Sequence, residues 1–593
     1  MLGVNAFHGD SAACLVIDGE LAAAAEEERF RRVKHWAGFP SEAIRYCLAH
    51  AGLRLAGVSD VAVNSDPRAS LGAKIAYTLR TRPSLGLLWQ SLRNKKARTS
   101  IASHLAVIDN SVFSGQVHAI EHHLAHLASA FSASGEAAAT CVSVDGFGDF
   151  ASAAWGYWTH SDWPVEGRIR FPHSLGIFYQ AMTQYLGFWQ YGDEFKVMGL
   201  AGYGAGEAQA STVNSHLADM VTTHTDGAFS LNLNYFRHHK ERVAYAWDGG
   251  VPQVGRLFSE RLELQLGPAR HGEEPIEARH KAIAFATQHL YETAFFHLLR
   301  ALQARHLSKT VVLAGGCAMN SLANGKITTQ TPFERVYVQP AAGDAGGAIG
   351  AAFAVLKRKG QSMKASTMTH AYYGPQAAPS EVVDTLAEHG AELRARGMHL
   401  KHFAEEAALV TDTAAAIASG QVVGWFQGRM EWGPRALGNR SILADPRRED
   451  IRELLNRKIK LREPFRPFAP SILEEHVGAW FERAQPVPFM TQVLPVLAQR
   501  RAQIPAVTHV DGTGRLQTVS RESNARFYAL IEAFATITGI PMVLNTSFNE
   551  NEPIVRTPKE ALACFLRTDM DRVVLGDWCV YRLPVRPDEP RRK

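Results

Sequence analysis

ATCVSVDGFGDFASAAWGYW, residues 139–158, is the stretch that decides the fold. Its two apolar runs flank a glycine-rich segment and predict strand, loop and strand, with Asp145 closing the first strand. Residues 2–25, LGVNAFHGDSAACLVIDGELAAAA, repeat the plan. The two copies also share a short motif where their second strand begins. It reads G-D-x-x-A at 9–13 and G-D-x-x-S at 148–152. We therefore expect a duplicated half-domain in which each copy offers a hairpin loop to one cleft.

Strands that run into glycine turns recur further along the chain. The apolar runs 310–313 and 336–338 precede Gly315-Gly316 and Gly343-Asp344-Ala345-Gly346-Gly347, and a helix is predicted over 348–357. Residues 281–304 have the three-to-four-residue apolar spacing of an amphipathic helix. Backbone N–H groups at such strand-to-helix turns bind anions. The alternation of strands and helices predicts an α/β fold.

Composition bounds the class of protein. The chain has 593 residues, 46% of them hydrophobic and 20% charged, which is typical of a globular protein with more than one domain. The pattern breaks around 357–376, and we place the domains at 1–362 and 363–593. The six cysteines form no C-x-x-C pair, which favours a reducing, cytoplasmic setting. Neither a signal peptide nor an apolar membrane span is indicated, so no membrane partner is expected.

Paired histidines are the first candidates for chemistry. His122 and His126 are four residues apart, and on a helix this spacing puts both imidazoles on one face, as a metal requires. An isolated pair of this kind is also found as ordinary polar or capping histidines. Asp145 and Asp344 each follow a strand, and strand ends converge on a cleft, although Asp344 could instead cap the next helix. Two imidazoles with two carboxylates suit iron(II), manganese or zinc.

The turn GGCAMN, residues 315–320, is a candidate nucleotide site. Its glycines leave backbone N–H groups free to face a phosphate or ribose, and Asn320 adds an amide. The chain lacks the phosphate-binding pattern G-x-x-x-x-G-K-[ST]. Cys317 is interpreted as a small buried residue rather than a nucleophile, because no group that would stabilise its thiolate can be named.

Basic charge concentrates in the C-terminal part. Residues 427–466 hold eleven Arg plus Lys against six Asp plus Glu, which accounts for nearly all of the net charge of +5. Arginine forks on rigid loops bind phosphate or carboxylate oxygens at two points. The interleaved Trp432, Phe465 and Phe468 favour a walled pocket over a solvated basic surface. Two predicted strands, 516–519 and 542–544, deliver further polar groups at their ends.

Several passages together resemble the NodU/CmcH-type O-carbamoyltransferases, bacterial enzymes that carbamoylate hydroxyl groups of natural products and nodulation signals. The resemblance spans nearly the whole chain. It rests on NAFHGDSA (5–12), HHLAH (122–126), VDGFGD (144–149), KVMGLA (196–201), GPRALGNRS (433–441) and NTSFN (545–549).

The resemblance implies an N-terminal actin-like ATPase (ASKHA) domain, like that of the threonylcarbamoyl transferase of tRNA modification. It implies a C-terminal α/β domain like threonylcarbamoyl-AMP synthase. That domain would take carbamoyl phosphate and ATP with Mg²⁺ and form carbamoyl adenylate. The N-terminal domain, with a metal that is commonly iron(II), would transfer the carbamoyl group to a hydroxyl of a small-molecule acceptor, as in antibiotic biosynthesis. Such relatives also suggest a homodimer.

Residue roles follow from the resemblance motif by motif. The implied metal ligands are His122, His126, Asp145 and Asp344. The implied nucleotide-facing residues are Asp145, Gly146, Gly148, Asp149, Gly316 and Asn320. His8 and Lys34 fall on the acceptor side, and the ordinary pKa of an imidazole, about 6.5, suits His8 as a base. For carbamoyl phosphate we nominate, by charge and strand-end position, Arg435, Lys458, Arg466, Arg521, Asn545 and Ser547.

Two rival functions share parts of this pattern. An actin-like sugar kinase or ATPase would have the duplicated hairpins and nucleotide turns, but it leaves the basic C-terminal part and the paired histidines unused. An RNA-modifying carbamoyl transferase needs an extended positive face, whereas the excess charge here lies in loops of one domain, so no nucleic-acid partner is expected. The stretches 78–103 and 204–255 are candidates for selecting the acceptor.

Overall fold

The computed structural model describes residues 1–81, 101–109, 111–241, 243, 245–363 and 367–582. The chain divides into two compact units, one formed by Met1–Met368 with Thr491–Val493 and the other by Thr369–Met490 with Leu494–Lys593. The domain boundary predicted from the sequence follows residue 362. Most of the stretch 78–103 lies outside the described residues.

The first unit contains two five-stranded sheets with the same plan. In each sheet three antiparallel strands are followed by two parallel ones. In spatial order, the first sheet is Glu20–Glu26, Ala12–Ile17, Leu2–Asn5, Asp60–Val63 and Gln116–Ala119. The second is Gly167–Arg170, Ala151–Thr159, Ala138–Gly148, Thr310–Ala314 and Arg335–Val338. The repeated hairpins seen in the sequence are thus repeated sheets.

Helices and short strand pairs complete this unit. The helices are Glu28–Arg31, Ser41–His50, Leu71–Thr81, Ile101–Leu105, His122–Ser134, Leu175–Tyr185, Glu194–Ala201, Ala210–Leu217, Glu260–Leu266, Ala278–His306, Ser321–Gln330 and Gly346–Arg358. The short pairs are Val221–Thr223 with Phe229–Leu231 and Tyr245–Ala246 with Gln253–Val254. Among the described residues, no helix has the combined length and apolarity that crossing a bilayer requires.

Helix His122–Ser134 packs closely on helix Gly346–Arg358, and this contact positions the candidate metal ligands. A Cβ on Gly350 would lie 1.7 Å from the carbonyl oxygen of Ala125, so the two backbones approach to a distance that only glycine permits. Both helices are almost wholly buried; the first packs on strands of the second sheet, and the second packs on strands of the first sheet. Asp344, just before the second helix, is thereby held near the first.

The second unit is built on one eight-stranded mixed sheet. In spatial order its strands are Met398–His402, Trp578–Arg582, Arg572–Leu575, Val423–Phe426, Arg440–Ala444, Met542–Ser547, Ala469–Leu473 and Gln517–Val519. Short strands also occur at Val493–Pro495, whose first residue belongs to the first unit, and at Thr513–Arg515. The helices are Pro379–Glu388, Gly390–Ala395, Glu406–Ala418, Ile451–Leu454, Ala525–Thr538 and Pro558–Arg567, and a π turn covers Leu455–Ile459. The buried apolar faces of this sheet and its helices form one core.

The α/β class predicted from the sequence is confirmed, and the predicted strands and helices are present within a few residues. One prediction is wrong: 145–149 is not simply a loop after a strand. The strand continues as Ala138–Gly148, and its pairing with Ala151–Thr159 shifts between Val144 and Gly148. This irregularity leaves Asp145 inside an interrupted ladder, where its side chain is turned to the paired histidines.

Candidate functional site

The N-terminal site is built on the first turn of helix His122–Ser134. The side chain of Glu121 caps the helix by accepting hydrogen bonds from the backbone N–H groups of His123 and Leu124, at 3.2 and 2.9 Å. Asp149 accepts a further bond from His122 N at 3.0 Å. The helical spacing then places the rings of His122 and His126 on one buried face, with their centroids 4.6 Å apart.

Asp145 and Asp344 meet the two imidazoles. His126 Nε2 lies 2.9 Å from Asp145 Oδ2 and 3.0 Å from His122 Nε2. Both Nε2 atoms lie 3.5 Å from Asp344 Oδ1. One donor atom from each of the four residues falls within 4.8 Å of all the others. The structure therefore brings together all four residues that the sequence nominated as metal ligands.

The electrostatics of this cluster favour a cation. Burial opposes a charged imidazole, but the hydrogen bonds and charges of Asp145 and Asp344 raise the pKa of His126 to about 9. Burial raises the pKa of Asp344, and the neighbouring charge of Asp145 raises it further. The hydrogen bonds from the two histidines outweigh burial at Asp145 and hold the pKa of its carboxyl well below the usual range. Two carboxyl groups share this buried site, and positive charge between them relieves their repulsion.

Glycines make room for these side chains. A Cβ on Gly148 would lie 2.0 Å from His122 Cδ2, and one on Gly316 would lie 2.9 Å from Asp145 Oδ1. A Cβ on Gly146 would meet nothing within 4 Å. Gly148 and Gly316 thus border the metal cluster, and the space beside Gly146 is open.

Asp149 and Asn320, nominated as nucleotide-facing, are engaged within the protein. Asp149 accepts hydrogen bonds from Asp66 N at 2.8 Å and from Ser65 Oγ at 3.3 Å, besides that from His122. Asn320 caps helix Ser321–Gln330 through Ala323 N at 3.1 Å, and it exchanges two hydrogen bonds with Gln288. Both side chains support the backbone of the site.

The two residues nominated for the acceptor side differ in position. His8 is buried, and its ring centroid lies 5.3 Å from that of His122. Lys34 is exposed. The next residue, His35, was not among the predicted site residues. Its Nδ1 lies 2.8 Å from Asp10 Oδ1. Local sequence carries no signal for that pair, because the partners are 25 residues apart.

The C-terminal site is a cluster of guanidinium groups from Arg435, Arg462, Arg466 and Arg515. Burial and the charge of Arg466 lower the pKa of Arg435 to about 10. Burial lowers the pKa of Arg515, and the charges of the other three arginines lower it further. Glu463 lies 3.6 Å from Arg466. Like charges concentrated at a buried place cost free energy that a bound anion recovers.

Glu431 organises the loop that carries Arg435. Its Oε1 accepts hydrogen bonds from the backbone N–H groups of Leu437, Asn439 and Arg440, at 2.8, 2.8 and 3.1 Å. Arg440 is buried, and its guanidinium donates to backbone carbonyl groups, among them that of Gly428 at 3.1 Å. The glycine- and proline-rich segment is thus rigid, as its composition predicts.

Lys460, which the sequence did not nominate, is the buried lysine of this region. Its Nζ donates to Ser547 O at 2.6 Å, to Ser547 Oγ at 3.2 Å and to Asn549 Oδ1 at 2.6 Å. Lys458, nominated in its place, is exposed. The π turn Leu455–Ile459 shifts the helical face by a residue, and a spacing argument from sequence does not foresee that shift.

Arg521 and Asn545 also differ from their predicted setting. Arg521 is exposed and pairs with Glu532 at 3.0 Å, whereas the half-buried Arg515 is influenced by the charges of Arg435, Arg462 and Arg466. Asn545 is buried and donates to Ser471 Oγ at 3.0 Å and to Gln517 Oε1 at 3.1 Å. Arg435, Arg466 and Ser547, also nominated, are each half-buried.

Comparison with known proteins identifies the family. The model described as "Carbamoyltransferase N-terminus" matches residues 1–353, and that described as "Carbamoyltransferase C-terminus" matches residues 414–582. An uncharacterised protein of Synechocystis sp. is 37% identical, over 98% of this chain and 96% of its own length. Nodulation protein NolNO of Sinorhizobium fredii is 36% identical, over 99% of this chain and 81% of its own length.

A relative named for its reaction is the 3'-hydroxymethylcephem-O-carbamoyltransferase of Amycolatopsis lactamdurans. It is 34% identical over 50% of this chain and 53% of its own length. The two family models together cover most of the 593 residues, including the paired histidines and the arginine cluster. The chain belongs to the carbamoyltransferase family and is an enzyme that transfers carbamoyl groups.

Proposed function

We propose that the protein is an ATP-dependent O-carbamoyltransferase with one half-reaction in each unit. In the second unit, which we take as the counterpart of threonylcarbamoyl-AMP synthase, carbamoyl phosphate, ATP and water give carbamoyl adenylate, phosphate and pyrophosphate. In the first unit, taken as an actin-like ATPase fold, the carbamoyl group passes to a hydroxyl of a small molecule and AMP leaves. The observation that carries the proposal is the concentration of positive charge in the half-buried guanidinium groups of Arg435, Arg462, Arg466 and Arg515.

The arginine cluster suits carbamoyl phosphate. The donor carries a doubly charged phosphate, and guanidinium groups bind such oxygens in two-point fashion. Partial burial of the guanidinium groups strengthens each charge interaction with the phosphate. Lys460, held by Ser547 and Asn549, adds a compact positive charge to the same unit. These residues bind the donor and hold its carbonyl carbon in place.

The cluster of His122, His126, Asp145 and Asp344 fits a divalent cation, iron(II) or another. The two Nε2 atoms face each other at 3.0 Å with carboxylate oxygens beside them, which is the arrangement of groups that share one ion. Mixed nitrogen and oxygen ligands are those that iron(II), manganese and zinc accept. A bound cation supplies Lewis-acid stabilisation of phosphate or carbonyl oxygens. The chain itself fixes the ligands through the cap of Glu121 and the hydrogen bond from His122 N to Asp149.

The acceptor is proposed to be a hydroxylated small molecule, as the name of the cephem relative states for that enzyme. His8, buried beside His122, is the residue proposed to accept the hydroxyl proton. We place Gly146 and Gly316 at the nucleotide, because the open side of Gly146 and the bare backbone of Gly316 adjoin Asp145.

The first experiment uses the full-length protein with labelled carbamoyl phosphate and ATP-Mg²⁺, without acceptor. We expect pyrophosphate and label linked to AMP. Formation of ADP on addition of a sugar would instead identify an actin-like kinase, and dependence on tRNA would identify an RNA-modifying transferase. Metal analysis of the purified protein, with His122→Ala as the control, tests the cation site independently. A panel of hydroxylated acceptors then identifies the product.

A further inference from the structure

Asp10 and His35 form a hydrogen-bonded pair in the first unit, separate from the four residues of the metal cluster. His35 Nδ1 lies 2.8 Å from Asp10 Oδ1. Asp10 lies in the loop that joins strands Leu2–Asn5 and Ala12–Ile17, and His35 lies four residues after helix Glu28–Arg31. The functional roles proposed above use neither residue.

The backbone holds both residues in an uncommon conformation. Asp10 has φ 55° and His35 has φ 54°, values in the left-handed region that non-glycine residues seldom occupy. The two loops are tied together by hydrogen bonds from Ser11 N to Trp36 O at 2.8 Å and from Phe7 N to Gly38 O at 3.0 Å. Backbone conformations of this kind persist where the surroundings impose them, and they concentrate at functional sites. The pair is therefore held in place rather than formed by chance between two surface side chains.

The outer nitrogen of the His35 ring is available. A Cβ on Gly192 would lie 2.5 Å from His35 Nε2, so the ring needs a glycine at this position. Tyr191 stands edge-on to the ring, with centroids 5.5 Å apart. Among the described residues no hydrogen bond reaches Nε2, and the His35 side chain is 31% exposed. A ring whose Nδ1–H is held by a carboxylate has a fixed orientation, and in its charged form it presents Nε2–H in one direction.

The surrounding charges keep this ring positive. Burial and Lys34 oppose the charged form, but Asp10 and Glu28 outweigh them and raise the pKa of His35 to about 9. The elements packed on the ring contribute Asp10 from the hairpin loop, Glu28 from its helix, and Tyr191 and Glu194 from the start of helix Glu194–Ala201. Burial raises the pKa of Glu194 to about 7. At neutral pH the pair is thus an imidazolium beside a carboxylate.

The loop that carries Asp10 also carries His8, whose ring centroid lies 5.3 Å from that of His122 in the metal cluster. Asp10, Glu28 and His35 could together offer three ligand atoms to a second cation. Glu28, however, already accepts from His35 N at 2.8 Å and pairs with Arg29 Nη1 at 2.8 Å. Because Glu28 already has these partners, the three side chains favour a hydrogen-bond donor that faces an anion over a second cation site.

We propose that His35, oriented by Asp10, donates its Nε2–H to an anionic oxygen of the carbamoyl donor in the first unit. This inference rests on the proposed function, because it assumes that an adenylate is brought to that unit. No proton leaves His35 in this role: the hydrogen bond holds the donor and stabilises negative charge during attack by the hydroxyl. Asp10 is the positioning residue, and it acts only through the ring.

The test is the pH dependence of AMP release from ATP and carbamoyl phosphate by the full-length, metal-loaded enzyme, with excess glycerol as hydroxyl acceptor. Donation requires the charged ring, so release persists below about pH 9 and falls as the pH rises through that value. Asp10→Asn keeps a hydrogen-bond acceptor but removes the charge, so the fall should move down by at least about one pH unit, which lowers release about 2-fold at pH 8 and approaches ~10-fold at pH 10. His35→Gln should lower release at every pH.

Three controls separate the outcomes. Pyrophosphate formation and metal content should be unchanged in both variants, and Glu194→Gln should leave the alkaline fall in place. An alkaline fall that is the same in Asp10→Asn and wild type would overturn the inference while leaving the proposed function intact. A second equivalent of metal that Asp10→Asn removes would assign the three side chains to a cation. Wild-type enzyme that forms neither pyrophosphate nor AMP would contradict the proposed function itself.

Discussion

Lys458 and Lys460 are two residues apart and have opposite environments. Lys460 is 2% exposed, and its three N–H groups are shared among four acceptor atoms of Ser547 and Asn549, whereas Lys458 projects into solvent. A buried ammonium that loses its partners is costly, and so is a set of acceptors that loses its ammonium. Burial therefore distinguishes two residues that charge alone makes equivalent.

Replacing Lys460 by Met should abolish formation of carbamoyl adenylate, because it removes a positive charge from the second unit and leaves the buried acceptors of Ser547 and Asn549 unsatisfied. The measurement is pyrophosphate release from carbamoyl phosphate and ATP, with circular dichroism to confirm folding. Lys458→Met is the matched control and should retain nearly wild-type release. Equal loss in both variants would contradict the assignment of Lys460.

Gly148 makes a second prediction at the scale of one residue. Gly148→Ala should reduce metal content, since its Cβ would lie 2.0 Å from His122 Cδ2 and the ring would have to move. Gly146→Ala, whose Cβ meets nothing within 4 Å, should leave metal content unchanged. Elemental analysis of the purified variants measures both. Full metal occupancy in Gly148→Ala would show that His122 is dispensable as a ligand.

At the scale of elements, the N-terminus of helix His122–Ser134 depends on Glu121. Its carboxylate caps the helix at two N–H groups and pairs with Arg168 Nη2 at 3.2 Å. The helix therefore begins at the residue that must face Asp145. The cap and the metal site use the same helical turn, so the stability of the element and the geometry of the site are linked.

Glu121→Ala should lower the free energy of unfolding by roughly 1 kcal/mol, the usual value for a lost cap. The expected decrease appears in denaturant unfolding followed by circular dichroism. Removing the Arg168 partner alone, by Arg168→Ala, leaves the cap in place and should cost less. A larger loss in Arg168→Ala than in Glu121→Ala would show that the ion pair, not the cap, holds the helix start.

The contact between helices His122–Ser134 and Gly346–Arg358 gives another prediction. Gly350→Ala should destabilise the first unit and weaken metal binding, since its Cβ would lie 1.7 Å from Ala125 O and force the helices apart. Gly343→Ala, with nothing within 4 Å of its Cβ, is the control for stability. Thermal unfolding with and without added metal measures both effects. Identical melting curves for wild type and Gly350→Ala would contradict the close approach.

At the scale of the whole molecule, the two candidate sites lie in different units of the chain. Their chemistry also differs: the first offers imidazoles and carboxylates to a cation, and the second offers guanidinium groups to an anion. A division of this kind makes the half-reactions separable by mutation.

His122→Ala or His126→Ala should abolish carbamoyl transfer to an acceptor and leave pyrophosphate formation near the wild-type rate, because the ligands belong to the first unit only. The two products are measured in parallel on the same preparation. An equal loss of both half-reactions would show that the metal cluster is needed for activation of the donor as well.

Sequence patterns alone determined the α/β class, the duplicated hairpins and the pairing of His122 with His126, because strand alternation, glycine turns and i, i+4 spacing depend on near neighbours in the chain. The composition of 427–466 also indicated a rigid basic pocket. Only the tertiary structure decided that Lys460 is buried while Lys458 is exposed, and that Arg515 is half-buried while Arg521 is exposed. It likewise joined Asp10 to His35. The burial of Lys460 depends on a π turn, and the Asp10–His35 pair depends on contact between distant segments. The local spacing of residues encodes neither.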